Sequence, residues 1–309
     1  MALCGVGLGC GRTAERGDDG PLKVVATTTI VGDIVARVGG DAIAVYSLLP
    51  YEADPHDYIF RPADVARAID ADVLFINGAG LEGHLNRLVA QAARDTTIVS
   101  LERGIPIRAL DPYHGHYHEQ GDHTHSEACV HGDGDPHYWE DPHNVMIWAR
   151  TIAEALTAHR PELAGVFDAR AEALIAELAG LDEWIREQVA LIPPERRKLV
   201  TDHLSLGYFA DRYGFKQVGV ILRSFDSMAQ PSAREVGRLI DTLNELDVPA
   251  LFVGDANPGL ASQIAADTDT AMVVLQHGSL TAPDGAAPDY FAYMRYNVEA
   301  LVRHLGTGE

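Results

Sequence analysis

Fourteen of the 309 residues are histidine, and eight of these lie between positions 114 and 143. A neutral imidazole nitrogen suits Zn²⁺ at about 2.0–2.1 Å, and three or four of them make a tight tetrahedral site. Four histidines stand in separate segments: His56 in EADPHDY, His137 in DPHYWEDPHN, His203 in TDHLSLGYF and His277 in LQHGSL. Each falls at the end of a predicted strand or in the connection after one, where open α/β sheets bind ligands. Two come from each half of the chain, so they can converge on a crevice between halves. A single histidine is more often a surface residue or a hydrogen-bonded core residue. Four at equivalent topological positions point to ligands.

A second group is denser. His114, His116, His118, His123, His125 and His131 fall within ALDPYHGHYHEQGDHTHSEACVHGDGD, residues 109–135, which has almost no aliphatic residues and no period. Such a segment cannot bury a core and is expected to be a mobile loop. Its imidazoles can bind Zn²⁺ weakly, because ordering the chain costs about 1–2 kcal/mol per fixed residue. Asp122, Glu127, Asp133 and Asp135 add negative charge there; Cys129 is either a soft ligand or a bystander. His143 reads as the cap region of the next helix, and His84, His159 and His304 as surface helix positions.

The elements that must position these residues alternate short apolar runs with amphipathic ones, the rhythm of α/β layers. Strands are predicted at 23–29, 42–49, 73–77, 97–101, 198–202, 217–221, 250–254 and 271–275. Helices are predicted at 30–38, 62–70, 81–93, 143–158, 205–213, 232–246, 258–267 and 289–304. Between the two sets, Leu163, Phe167, Leu174, Leu178, Leu181, Ile185 and Val189 recur at spacings of three, four and seven. That predicts one continuous helix over 161–192, about 48 Å long at 1.5 Å per residue. The expected fold class is therefore α/β: two α/β lobes with parallel sheets joined by one long rigid helix. Residues 22–160 form the N-terminal lobe with the His-rich loop 109–135, residues 161–192 the linking helix, and residues 193–309 the C-terminal lobe.

Composition narrows the partners. With 24 Lys+Arg against 45 Asp+Glu, the formal net charge is −21. Such a chain repels phosphate, which excludes nucleic acid and anionic membrane surfaces, and attracts cations. Three cysteines exclude a disulfide scaffold and a Cys-x-x-Cys metal site. Residues 1–10, MALCGVGLGC, read as a truncated secretory segment, with Cys10 after Leu8-Gly9 resembling a loose lipobox whose cysteine is lipidated. Residues 11–21 then form a polar tether. The alternative is a disordered start with a chance cysteine.

In combination these segments carry a resemblance. The chain resembles the metal-binding class of ABC-transporter solute-binding proteins that serve zinc and manganese importers. The resemblance covers residues 22–305 and rests on VATTTIVGDIVARVGGD (25–41), EADPHDYIFRPAD (52–64), DPHYWEDPHN (135–144), TDHLSLGYFADRYGF (201–215) and YFAYMRYNVEAL (290–301). It implies two α/β lobes joined by one long helix, with His56, His137 and His203 as ligands. The family often has a fourth ligand, an Asp in a Thr-Asp-Ser turn; here the matching tripeptide is His277-Gly278-Ser279. Either His277 reaches in from the adjacent slot or water completes the shell. Glu52 and Glu140 replace residues that are usually small or apolar, and Glu140 is expected behind the ligands or at the surface. Asp57 and Asp202 are candidates to hold a ligand imidazole in one tautomer.

The function implied is capture of Zn²⁺ outside the cytoplasm, in the periplasm or on the outer membrane face, by a lipid-anchored monomer that delivers it to an ABC-transporter permease. Imidazoles favour Zn²⁺ over Mn²⁺, which prefers oxygen, and manganese binders of the family typically carry Glu where His203 stands. Manganese binding is the alternative. A zinc hydrolase or hydratase using three histidines is a weaker one, since no HExxH or GxSxG motif is present. An adhesin-like surface role has no repeat or interaction motif behind it.

Overall fold

The computed structural model describes residues 20–83, 85, 96–109, 134–222, 231–254 and 258–306. Short β-branched runs form two parallel four-stranded sheets. The first contains β1 (Leu22–Ala26), β2 (Ile43–Ser47), β3 (Val73–Ile76) and β4 (Thr97–Ser100) in the order β2-β1-β3-β4. The second contains β5 (Lys198–Thr201), β6 (Lys216–Val220), β7 (Ala250–Val253) and β8 (Ala271–Val274) in the order β6-β5-β7-β8. All pairings are parallel. The central strands β3 and β7 read VLFI and ALFV and are buried along their whole length, as strands covered on both faces must be. Both sheets have the same order. In each, the chain steps outward on one side of its first strand, then returns to the other side. That leaves a crevice at the carboxyl end of β1 and of β5.

Helices follow the strands: α1 (Thr29–Gly39), α2 (Pro62–Ile69), α3 (Pro142–His159), α4 (Ala164–Ala190), α5 (Gly207–Tyr213), α6 (Ala233–Leu246), α7 (Pro258–Thr268) and α8 (Tyr290–Leu305). The helix expected over 81–93 lies largely outside the described residues, as do Cys10 and His114, His116, His118, His123, His125 and His131. No helix among the described residues is long and apolar enough to cross a membrane.

The long helix is shorter than its hydrophobic period implied. Pro161–Leu163 forms a separate 3-10 turn, because Arg160 before Pro161 takes an extended φ of −135° that a following proline favours. The α-helix proper is α4, 27 residues and about 40 Å at 1.5 Å per residue. Its far end stops before Pro193-Pro194. Phe167, Leu174, Leu178, Leu181, Ile185 and Val189 form its buried stripe, as expected, with Ala171 added.

That stripe belongs to one contiguous apolar cluster, which includes Val24 and Phe75 from the first sheet and Leu199 and Phe252 from the second. Polar contacts cross between the same parts of the chain. The Tyr290 N–H of α8 donates to Asp33 on α1 at 3.0 Å, and the Leu280 N–H donates to Thr29 Oγ1 at 2.8 Å.

Candidate metal centre

The sequence Asp-Pro-His occurs three times, and each time the His backbone N–H donates to the Asp two residues before it: His56 to Asp54 at 2.8 Å, His137 to Asp135 at 3.0 Å, His143 to Asp141 at 2.8 Å. Asp folds back on its own backbone readily, and proline fixes the residue between. In the third copy Asp141 is the N-cap of α3 and His143 is exposed, as expected of a cap region. The first two copies turn their imidazoles inward.

His56, His137 and His203 each offer a ligand nitrogen within 4.8 Å of the other two. Their ring centroids form a near-equilateral triangle: 5.0 Å for His56–His137, 5.3 Å for His56–His203 and 5.2 Å for His137–His203. The Nε2 atoms of His56 and His137 are 2.9 Å apart. His277 stands beside His203 with a centroid separation of 5.5 Å, and Asp202, His203 and His277 form a second, overlapping group of ligand atoms. All four histidines singled out from the sequence therefore meet in one place.

Three of the four segments are held from outside the cluster. His203 leaves the end of β5, and its carbonyl accepts from Thr201 Oγ1 at 2.6 Å and Ser205 N–H at 2.9 Å. The carbonyl of Pro136 accepts from Asn77 Nδ2 at 3.1 Å. Before His277, Asn297 of α8 clamps Gln276 by both its N–H (2.9 Å) and its carbonyl (3.0 Å).

The electrostatics suit a cation. Burial, then repulsion from its neighbours His137 and His203, holds His56 well below the usual imidazole range; burial and His203 and His277 do the same to His137. Burial alone would depress His203 as well, but Asp202 outweighs it and its net shift is upward. Asp202 is itself held low: burial would raise it, but His277 and His203 dominate. Nδ1 of His203 lies 2.9 Å from Asp202 Oδ1, and Asp202 Oδ2 accepts from Gly254 N–H at 2.8 Å. Nδ1 of His137 lies 2.8 Å from Asp135 Oδ1. A carboxylate on Nδ1 keeps the proton there and leaves Nε2 as the donor for a metal.

Asp202 thus takes the role expected of it. The sequence places the second such carboxylate, Asp135, in the mobile loop 109–135, although it also opens the motif DPHYWEDPHN. That reading is corrected: Gly134 and Asp135 are buried, the Asp135 N–H donates to Arg108 carbonyl at 2.9 Å, and burial raises its carboxyl to about 6. The repeated Asp-Pro-His was the available signal. Glu140 is not at the surface: it is 1% exposed, accepts from Trp139 Nε1 at 3.0 Å and from Tyr293 OH, and burial pushes it up to about 8. Glu82 was missed altogether. It is buried, accepting from Thr27 Oγ1 at 2.7 Å and Gly78 N–H at 3.0 Å, and burial raises it too.

Gly278, in the slot where an Asp ligand was expected, has a φ of +69°, and a Cβ there would meet Cγ and Cδ of Pro55 at 2.6 and 2.8 Å. The ring before His56 fills the place of the missing side chain.

Comparison with known proteins agrees with this arrangement. Residues 24–304 match the family described as zinc-uptake complex component A, periplasmic. The chain is 30% identical over 308 residues to the manganese-binding lipoprotein MntA of Halalkalibacterium halodurans, covering 99% of this chain and 95% of that one. It is 30% identical over 290 residues to the iron-binding protein YfeA of Yersinia pestis, covering 92% and 86%. Among solved structures, the Mn-bound periplasmic metal binding protein of candidatus Liberibacter asiaticus matches with a TM-score of 0.77 at 26% identity, over 92% of this chain and 99% of that one. Two parallel-sheet lobes, a cluster of buried imidazoles at their carboxyl edges and a match over nearly the whole described chain agree: this protein belongs to the ZnuA family of extracytoplasmic metal-binding proteins that serve ABC transporters.

Proposed function

We propose that the cargo is Zn²⁺, bound by His56, His137 and His203 with His277 as the fourth ligand, and released to the permease of an ABC importer without any chemical step. The observation that carries this reading is the ligand type. The three-imidazole triangle has a fourth imidazole beside it, and Pro55 occupies the space an Asp at 278 would need. Imidazoles suit zinc, whereas manganese takes more oxygen. Of the carboxylates around the cluster, Asp135 and Asp202 are engaged with His137 and His203 Nδ1, and Asp54 Oδ1 accepts from the His56 backbone N–H. On the same reading residues 1–10 are a truncated secretory segment lipidated at Cys10, residues 11–21 are the tether, residues 109–135 carry auxiliary weak sites, and the chain acts as a monomer of two lobes spanned by α4.

The runner-up cargo is Mn²⁺, favoured by the similarity to the manganese-binding lipoprotein of Halalkalibacterium halodurans. To decide between them, metal-stripped protein is equilibrated with equimolar Zn²⁺ and Mn²⁺, desalted, and its bound metal measured. Zinc at one tight equivalent, lost in His56→Ala, His137→Ala and His203→Ala, is expected. Retention of manganese instead would overturn the assignment.

A further inference from the structure

We propose that Glu140 and Tyr293 form a positioning pair that fixes where His137 and His277 stand around the ion. The inference rests on the imidazole cluster being the metal site, as proposed above. Glu140 is a glutamate at 1% exposure, and a carboxyl so buried is costly unless its hydrogen bonds are made. Both of the donors found on it lead to the cluster. Trp139 Nε1 donates to its Oε1 at 3.0 Å, and the indole stands edge-on to the His137 imidazole with ring centroids 5.2 Å apart. Tyr293, from α8, donates its hydroxyl to the same oxygen. That hydroxyl in turn accepts the N–H of Gly278, the residue after His277, at 3.4 Å.

The third ligand segment is tied to the same point by shape. The Cα of Gly278 is packed so closely on the ring of Pro55 that no side chain fits, and Trp139 Cζ2 lies just beyond. Pro55 precedes His56. One carboxyl oxygen, with two donors on it, therefore sits at the junction of the segments carrying His56, His137 and His277. With that oxygen occupied, Glu140 acts by fixing the rings rather than by binding the ion. Removing it takes the shared acceptor from a buried indole N–H and a buried phenol, so only the 3.3 Å bond from Trp139 Nε1 to Tyr293 OH is left to hold Trp139 against the 277–278 turn. Partners that orient metal ligands in this way are typically worth about 10- to 100-fold in metal affinity.

The test uses the full chain and the variants Glu140→Leu, Glu140→Gln and Tyr293→Phe, with His137→Ala alongside. Zinc affinity is read by chelator competition, ligand geometry by the visible spectrum of the Co²⁺-loaded protein, and folding by thermal unfolding of the metal-free form. Glu140→Leu and Tyr293→Phe should each weaken zinc by about 10- to 100-fold and shift the cobalt bands, while Glu140→Gln, which keeps an acceptor, should stay within about threefold of the parent. Tyr293→Phe removes one oxygen and preserves the ring, so it decides the matter if Glu140→Leu does not fold. Unchanged affinity and cobalt spectrum in Tyr293→Phe would overturn the proposal. So would a Gln variant as weak as the Leu variant. Full zinc affinity in His137→Ala would instead overturn the metal-site reading on which the pair depends.

Discussion

Oδ1 of Asp135 accepts from both the backbone N–H and the Nδ1–H of His137, at 3.0 and 2.8 Å, so one carboxylate sets the backbone turn and the ring tautomer of a ligand together. Asp202 does the same for His203, at 2.8 and 2.9 Å.

Asp135→Asn and Asp202→Asn should therefore each weaken metal binding by about 10- to 100-fold. The amide removes the charge and can present its N–H₂ to Nδ1, which would favour the wrong tautomer. Calorimetric titration of the two variants checks this; parent-like affinity in both would show that the carboxylates do not orient the ligands.

The pH dependence should be shallower than three independent histidines would give. Burial keeps His56 and His137 neutral well below the ordinary imidazole value, so near pH 6 they have no proton to lose. His203 is shifted the other way by Asp202 and holds its proton to higher pH. Binding must then displace about one proton, and affinity should fall about tenfold per pH unit below the His203 value. Asp135 adds to the loss below about 6, where its carboxyl protonates and stops accepting from His137. Calorimetry at pH 6.5 in buffers of different ionisation enthalpy counts the protons directly, and a release near three would contradict the burial argument.

Much of this was legible in the sequence, for identifiable reasons. All eight predicted strands form, because apolar β-branched runs of five to eight residues between turn signals leave little choice. The four histidines were found by their place after strands. What the sequence hid was distance in three dimensions. Asp135 looked like part of a polar loop because its burial depends on Arg108 and Tyr208, whose hydroxyl donates to the Asp135 carbonyl at 3.2 Å from 73 positions away. For Glu140 the sequence leaves open a place behind the ligands or at the surface, because nothing local shows that Tyr293 lies over it. The ends of α4 were overread because hydrophobic period persists through a 3-10 turn, whereas hydrogen-bond geometry does not.

Restoring the family's carboxylate should fail. In Gly278→Asp the new side chain starts from a φ of +69° and overlaps the Pro55 ring. Strain and displacement together should cost about 1–3 kcal/mol, and the shift of Pro55 should move His56. The expected result is a lower unfolding temperature, weaker zinc binding and no gain for Mn²⁺. A Gly278→Asp variant that bound Mn²⁺ more tightly without losing stability would mean that this turn adapts.

The two lobes should not swing apart when metal leaves. Val24 and Phe252, from different sheets, belong to one apolar cluster, and Asp33 and Thr29 on α1 are hydrogen-bonded to Tyr290 and Leu280. Opening would expose that cluster and break those bonds, whereas the segments bearing His203 and His277 can move alone. Small-angle scattering should give the same radius of gyration with and without zinc, and hydrogen exchange should change only around residues 202–206 and 276–280. A clear increase in radius on metal removal would refute this.

Glu140 should also leave a mark on stability. Its folded value, about 8, lies above the ordinary carboxyl value because burial penalises the charge. The native state therefore binds the proton more tightly than the unfolded chain does. The sign follows: the contribution is complete below the unfolded value of about 4.5 and is lost progressively as pH rises towards 8. Glu140→Gln keeps a neutral, hydrogen-bonding group of the same shape at every pH and has no proton to lose. Metal-free parent and variant should thus have similar unfolding temperatures near pH 5, and the parent should fall behind as pH rises to 8 or 9. Other titrating groups cancel in the difference. Parallel curves across that range would mean that Glu140 is already ionised in the fold, with Tyr293 and Trp139 sustaining the charge.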